Sequence, residues 1–318
     1  MMKRVAVLMG GMSSEREVSL RSGAAVAAAL AGAGLDVVPV VLERDGLTSL
    51  PEGVGVAFIA LHGGYGENGG VQADLDKLRV PYTGPGAAAS RVAMDKAATK
   101  RLLDAAGIPT AAWEVLARGV GESRLPLPVV VKPPRDGSSV GISKVSEASQ
   151  WAAALAAARA ADAAGEALVE AYVPGREWTV GVVGGEPLPV VEVCAPGGWY
   201  GFAEKYTPGA TRYAFPESAA DAACVARCQE LAVGVFHAVG CRGVGRVDFR
   251  VTPEGEPFVL EINTVPGFTA TSLLPKAAAR AGMPFAALCV RLLELAAYES
   301  EPRIPHEQGG GHVQDEQG

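Results

Sequence analysis

The sequence predicts an α/β (α+β) chain of three domains, on three observations. Apolar strands alternate with helical patterns through the first 95 residues, as in an open parallel sheet. A strand ending at Lys132 runs into a loop rich in glycine and serine, inside a smaller α+β unit. A further α+β unit carries two consecutive strands in which charged and apolar residues alternate. The expected divisions are 1–95, 96–176 and 177–300. The polar, glycine-bearing stretch 301–318 is expected to be a disordered tail.

Composition narrows the class. The chain has 318 residues, 49% apolar and 20% charged, enough to bury more than one core. A formal charge of −7 argues against a nucleic-acid binder, so any phosphate-holding cations must be local. No apolar run approaches the ~20 residues of a membrane span. The short apolar stretch after Lys3 and Arg4 is no signal peptide. A cytoplasmic protein, outside the membrane, is expected. The five cysteines are odd in number and form no Cys-x-x-Cys pair. Cys224 and Cys228 stand four apart in a helical pattern and read as core residues.

Residues 3–9 read as a buried parallel strand, followed by a glycine-serine turn at 10–14. Ser14 and Glu17 fit a capping box that opens a helix to about Leu30. Strands are expected at 37–41 and 56–61, then a helix at 70–78. Asp95 is the expected N-cap of a helix from Lys96, which Gly107 and Pro109 stop. A strand at 129–132 leads into the loop 133–141. An alanine-rich helix over 146–164 and a strand at 168–172 complete this unit. Strands follow at 177–183 and 187–193, then a long loop at 194–212 and a helix at 219–239. Strands at 244–251 and 257–263 and two short helices finish the fold.

The last strand pair carries the sharpest chemical signal. Side chains two apart on a strand share a face, so Arg246, Asp248, Glu261 and Asn263 gather on one face. With Glu254 and Gly255 as central turn residues, Asp248 lies opposite Glu261. Two carboxylates and an amide suit Mg²⁺ bridged to phosphates. A solvated acidic hairpin face is an equal alternative. Lys132 closes its strand before KPPRDGSSVG, where Gly137 and Gly141 let backbone N–H groups approach phosphate. Ser138 and Ser139 add hydroxyls, and Lys132 and Lys96 are the candidate point charges. Neither a P-loop nor a G-x-G-x-x-G fingerprint occurs. Glu15 stands at a helix N-terminus, where it either complements the dipole or holds an ammonium group. His62 follows an apolar strand at the carboxyl end, where open α/β sheets bind ligands.

Collinear segments now carry a resemblance. GGMSSEREVSLRSG (10–23), ALHGGYGENGGVQ (60–72), PYTG (81–84), MDK (94–96), VKPPRDGSSVG (131–141), AEKY (203–206), GRVDF (245–249) and LEINTVPGFT (260–269) resemble the D-alanine–D-alanine ligases of the ATP-grasp superfamily. The match extends to about residue 300. It implies the three-domain ATP-grasp architecture and the joining of two D-alanine molecules for peptidoglycan precursors, with ATP and two Mg²⁺ (or Mn²⁺). A homodimer is implied as well.

The resemblance also implies roles. Glu15 and Ser138 would bind and orient the first D-alanine, with Tyr206 in the same hydrogen-bonded group and His62 beside the substrate. Lys96, Lys132, Ser139 and Lys205 would serve the phosphates, Glu170 the adenine amino group, and Val173 and Glu177 the rest of the nucleoside. Asp248, Glu261 and Asn263 would hold the metals. Arg246 and the Gly267 N–H would meet the oxyanion, and Ser272 and Leu273 the second carboxylate. The loop 194–212 would close as a lid. The Lys205-Tyr206 pair favours an amine over D-lactate as acceptor. A silent nucleotide-binding protein is the rival from another class, against which stand all three metal ligands. The chain departs from the family pattern at Ala171, where a basic residue is expected, around 201–204, and at Phe268.

Overall fold

The structure is a computed structural model, and it describes residues 4–137, 140–195 and 211–299. Three sheets organise these residues.

In the first, β1 (Arg4–Gly10) lies between two parallel neighbours, β2 (Val37–Leu42) and β3 (Val54–Ile59). Its residues 5–9 are buried, as the apolar run requires. Gly10 and Gly11 both take positive φ, at 88° and 85°. A side chain at Gly10 would press on the Leu42 carbonyl at 2.9 Å. The chain therefore turns directly into α1 (Arg16–Gly32). The expected capping box is absent: Glu15 occupies the N-cap and makes no side-chain capping bond. Ser13 does the local work instead. Its Oγ accepts the Glu15 N–H at 3.2 Å and donates to the His62 carbonyl at 2.5 Å. Joining two glycine-rich turns this way is tertiary, which is why the local motif misplaced the cap.

Helices α2 (Gly70–Leu78) and α3 (Ala87–Met94) lead to α4 (Lys96–Ala105). The sequence reading missed α3. It ends because Asp95 adopts an extended conformation and caps α4, accepting the Ala98 N–H at 2.9 Å as expected.

The second sheet is antiparallel, in the order β4 (Trp113–Leu116), β7 (Ala167–Ala171), β5 (Val129–Lys132), β6 (Ser143–Val145). Val129, Val131 and Val169 face α5 (Trp151–Ala161). Lys132 and Glu170 fall on the opposite face by strand parity. Helix α5 is shorter than its alanine content suggested. It stops at Asp162, whose carboxylate accepts the Ala164 and Glu166 N–H groups and pairs with Arg135. Aspartate here competes with the helix for backbone donors.

The third sheet runs β11 (Arg212–Ala214), β10 (Val191–Cys194), β8 (Arg176–Val183), β12 (Val244–Val251), β13 (Pro257–Asn263), with β9 (Glu186–Pro187) folded back on β8. Trp178, Val180, Val247, Phe249, Val259 and Ile262 pack on α6 (Ala222–Ala238). Cys224 and Cys228 lie in this core, and burial pushes the Cys228 thiol well up, keeping it protonated.

Helices α7 (Leu273–Arg280) and α8 (Phe285–Glu294) return to pack with Val5, Val7 and Phe58 of the first sheet. No single described helix is long and apolar enough to cross a membrane.

Candidate active site

Strand parity builds the polar face of the third sheet from three strands at once. Arg250 pairs across to Glu177, Asp248 to Thr179, and Arg246 to Gly181. On the other side Asp248 faces Glu261 and Arg246 faces Asn263. The expected register at the site therefore forms, though by another route. The loop between the paired Val251 and Pro257 is 252–256, in place of a two-residue turn, and a bulge after Asp248 restores the register. It also lets Val259 and Ile262, three apart, share the apolar face.

Charges on this face are matched. Arg246 donates to both Asp248 oxygens, at 2.9 and 2.7 Å, and the Thr179 hydroxyl donates to one of them at 2.5 Å. Glu261 lies 3.3 Å from the Lys96 ammonium, which also donates to the Asp136 carbonyl at 2.7 Å. Asn263 Oδ1 accepts the Val265 N–H at 3.0 Å. Thr179 was missed in the sequence, although period two from Glu177 would have placed it here. Among the described residues no three His, Cys, Asp or Glu side chains cluster as metal ligands. The donor set is two carboxylates and an amide oxygen on one face, and that all-oxygen chemistry fits Mg²⁺.

The face opens onto a cleft of about 510 Å³ lined from all parts of the chain: Glu15 and His62, Lys96 and Gly137, Arg246, Glu261, Asn263, Gly267, Ser272 and Leu273. Ser272 occupies the N-cap position of α7 without a side-chain capping bond, and its hydroxyl accepts the Thr269 N–H at 3.1 Å; a Cβ at Gly267 would lie 3.2 Å from that hydroxyl. Glu15 packs against Gly63, whose φ of 70° keeps a backbone turn where a side chain would meet the carboxylate.

His62 lines the cleft, but its ring is committed to the protein. Nδ1 is 3.1 Å from the Val265 carbonyl, which can only accept, so Nδ1 carries the hydrogen. Nε2 then accepts from the Ser22 hydroxyl at 2.9 Å, and Ser22 Oγ accepts the Phe268 N–H at 3.3 Å. The histidine thus holds the 265–268 segment around Gly267.

Lys132 and Glu170 lie away from this cleft lining. Glu170, 2% exposed, sits 2.9 Å from Lys132 and 3.1 Å from Lys100. Burial alone would raise its carboxyl, but the two lysines hold it below the ordinary glutamate value. Lys100 stands one helical turn after Lys96, a spacing that could have revealed it. Val173 lies in the link between the second and third sheets, and Glu177 is the second residue of β8. Ser138, Ser139, Lys205, Tyr206, most of the expected lid and the tail lie outside the described residues.

This combination of a parallel N-terminal sheet, a four-stranded antiparallel sheet and a larger mixed-length sheet around one cleft is the ATP-grasp architecture. Residues 102–294 match the family model for the D-ala D-ala ligase C-terminus, and residues 4–52 the one for its N-terminus. The D-alanine--D-alanine ligase of Syntrophotalea carbinolica is 48% identical over 92% of this chain and 95% of its own length. That of Desulforudis audaxviator is 45% identical over 93% and 99%. Among solved structures, the Bacillus anthracis D-alanine--D-alanine ligase complexed with ATP superposes with a TM-score of 0.80 at 31% identity, covering 92% of this chain and 97% of that one. The VanG D-Ala:D-Ser ligase of Enterococcus faecalis gives 0.82 at 29%, covering 93% and 99%. The chain belongs to the D-alanine–D-alanine ligase family.

Proposed function

We propose that this chain ligates two D-alanine molecules to D-alanyl-D-alanine with ATP, releasing ADP and phosphate, and so supplies peptidoglycan precursor synthesis. One observation carries the reading: a single cleft collects Glu15, His62, Lys96, Arg246, Glu261, Asn263, Gly267 and Ser272, each at a position the family resemblance assigns to substrate, phosphate or metal. A cytoplasmic homodimer accompanies the reading.

The first D-alanine carboxylate attacks the ATP γ-phosphorus, and the bond to ADP breaks. The amine of the second D-alanine then attacks the acyl carbon, phosphate leaves, and the amine loses a proton. Asp248, Glu261 and Asn263 would hold two Mg²⁺ (or Mn²⁺), which neutralise phosphate charge when bound. Lys96 and Arg246, matched here to Glu261 and Asp248, would be free to serve the phosphate and the oxyanion respectively where those carboxylates hold metal. Glu15, with Ser138 and Tyr206, would orient the first ammonium group. His62 holds the 265–268 segment, so that the Gly267 N–H and Arg246 face the developing oxyanion. Ser272 and Leu273, at the start of α7, would receive the second carboxylate. Glu170, Val173 and Glu177 would take the nucleoside, and Lys132, Ser139 and Lys205 its phosphates.

The test is phosphate release from ATP and Mg²⁺ with D-alanine, L-alanine, and D-alanine mixed with D-lactate or D-serine. Release with D-alanine alone, yielding the D,D-dipeptide, is expected. Release only with a different acceptor would reassign the substrate, and none with any pair would overturn the reading.

A further inference from the structure

Arg250 is a buried cation that the proposed chemistry does not use. It shares the polar face with Arg246 and Asp248 but lies at the far end, 6% exposed. Its guanidinium donates through Nε to the Val173 carbonyl at 3.2 Å and through Nη2 to the Gly175 carbonyl at 2.7 Å. Nη1 is 3.5 Å from the Glu177 carboxylate, and the group stands 5.8 Å from the Tyr172 ring centroid. Three of these partners, Tyr172, Val173 and Gly175, belong to the segment that leaves β7 at Ala171 and enters β8 at Arg176, and the fourth, Glu177, is the second residue of β8.

That segment has no sheet ladder of its own between Tyr172 and Gly175, so its carbonyls need donors from elsewhere. Gly175 takes φ of 124° and approaches so closely that a Cβ would meet the Val251 carbonyl at 2.0 Å. One buried arginine and one glycine therefore pin the link between the second and third sheets to β12. The planar guanidinium can serve two carbonyls and a carboxylate together, which a lysine ammonium cannot do in the same geometry.

We propose that Arg250 is the positioning residue of the nucleoside site. By occupying the Val173 and Gly175 carbonyls it sets the backbone orientation of Val173, and by facing Glu177 it fixes where that carboxylate stands as an acceptor for ribose hydroxyls. This rests on the reading above that Val173 and Glu177 take the nucleoside. Arg250 is remote from the residues assigned to D-alanine, so its loss should act on ATP alone.

The experiment uses the full chain and compares wild type, Arg250→Met and Arg250→Lys. ATP–Mg²⁺ affinity is read by calorimetry, KM for ATP and for D-alanine by steady-state kinetics, and folding by thermal unfolding. Arg250→Met should weaken ATP binding about tenfold, the loss of one or two hydrogen bonds to a charged donor, with the D-alanine KM unchanged. Arg250→Lys, keeping the charge but not the fork, should fold like wild type and recover only part of the affinity. A folded Arg250→Lys that binds ATP as wild type does, or an equal loss for ATP and D-alanine, overturns the proposal. Wild-type protein that binds no ATP overturns the functional reading itself, a separate result visible before any variant is made.

Discussion

Two sheets of this molecule each carry a charged face, and they use it differently. In the third sheet, Glu261 lines the cleft and Asp248 stands beside it on the same face, their side chains 34% and 15% exposed, each matched to one cation. In the second sheet, Glu170 is sealed between Lys132 and Lys100, with 2% of its side chain exposed. Strand parity put the charges on one face in both cases. What differs is the cover. Water reaches the first face, so its ion pairs can be exchanged for others. In the second, Lys100 of α4 and Lys132 close over Glu170, so without nucleotide its charges hold one another and breaking the set leaves an uncompensated ion.

Substitutions can test that contrast. The largest effect is expected from Glu170→Gln, which leaves two buried ammonium groups without their carboxylate. A loss of about 3–5 kcal/mol is expected in urea unfolding, and a change below about 1 kcal/mol would deny the cluster its structural weight. The sign with pH follows from the lowered Glu170 carboxyl. Its contribution is fully present above the unfolded value of about 4.3 and fades as pH falls through the lower folded value. Wild type should therefore lose stability with acid more steeply than Glu170→Gln, and parallel acid limbs would contradict this.

Glu261→Gln should do the reverse. Turnover should fall about a hundredfold, equivalent to about 2.7 kcal/mol of transition-state stabilisation, while the unfolding midpoint barely moves. Normal turnover would remove Glu261 from the proposed metal set. Smaller still is Thr179→Val, which keeps the shape but deletes the hydroxyl bonded to Asp248. A loss of about 1 kcal/mol is expected, read as a several-fold higher Mg²⁺ requirement; an unchanged Mg²⁺ titration would show that Asp248 needs no such support.

Much of this contrast was legible in the residues. The alternation in β12 and β13 placed Arg246, Asp248, Glu261 and Asn263 together, and the Asp248–Glu261 pairing was expected and forms. The reason given for it was a two-residue turn. The actual loop is longer and a bulge compensates, a detail that depends on how β13 packs its apolar side on α6. The cap of α1 was placed on Ser14, because a motif search sees neighbours in sequence, whereas Ser13 answers to His62, 49 residues away. Short α3 and β4 escaped notice for want of a full period.

The sequence by itself determined the period-two and period-3.6 patterns, the glycines that permit the turns at Gly10 and Gly63, and which residues share a strand face. These follow from local geometry, which each residue carries with it. Only the tertiary structure decided that Glu170 is sealed while Glu261 is open, which tautomer His62 adopts, and that Arg250 reaches the Val173–Gly175 link. Burial and hydrogen-bond partners depend on what distant segments bring to the same place, and charge behaves according to that surrounding medium rather than to its neighbours in the chain.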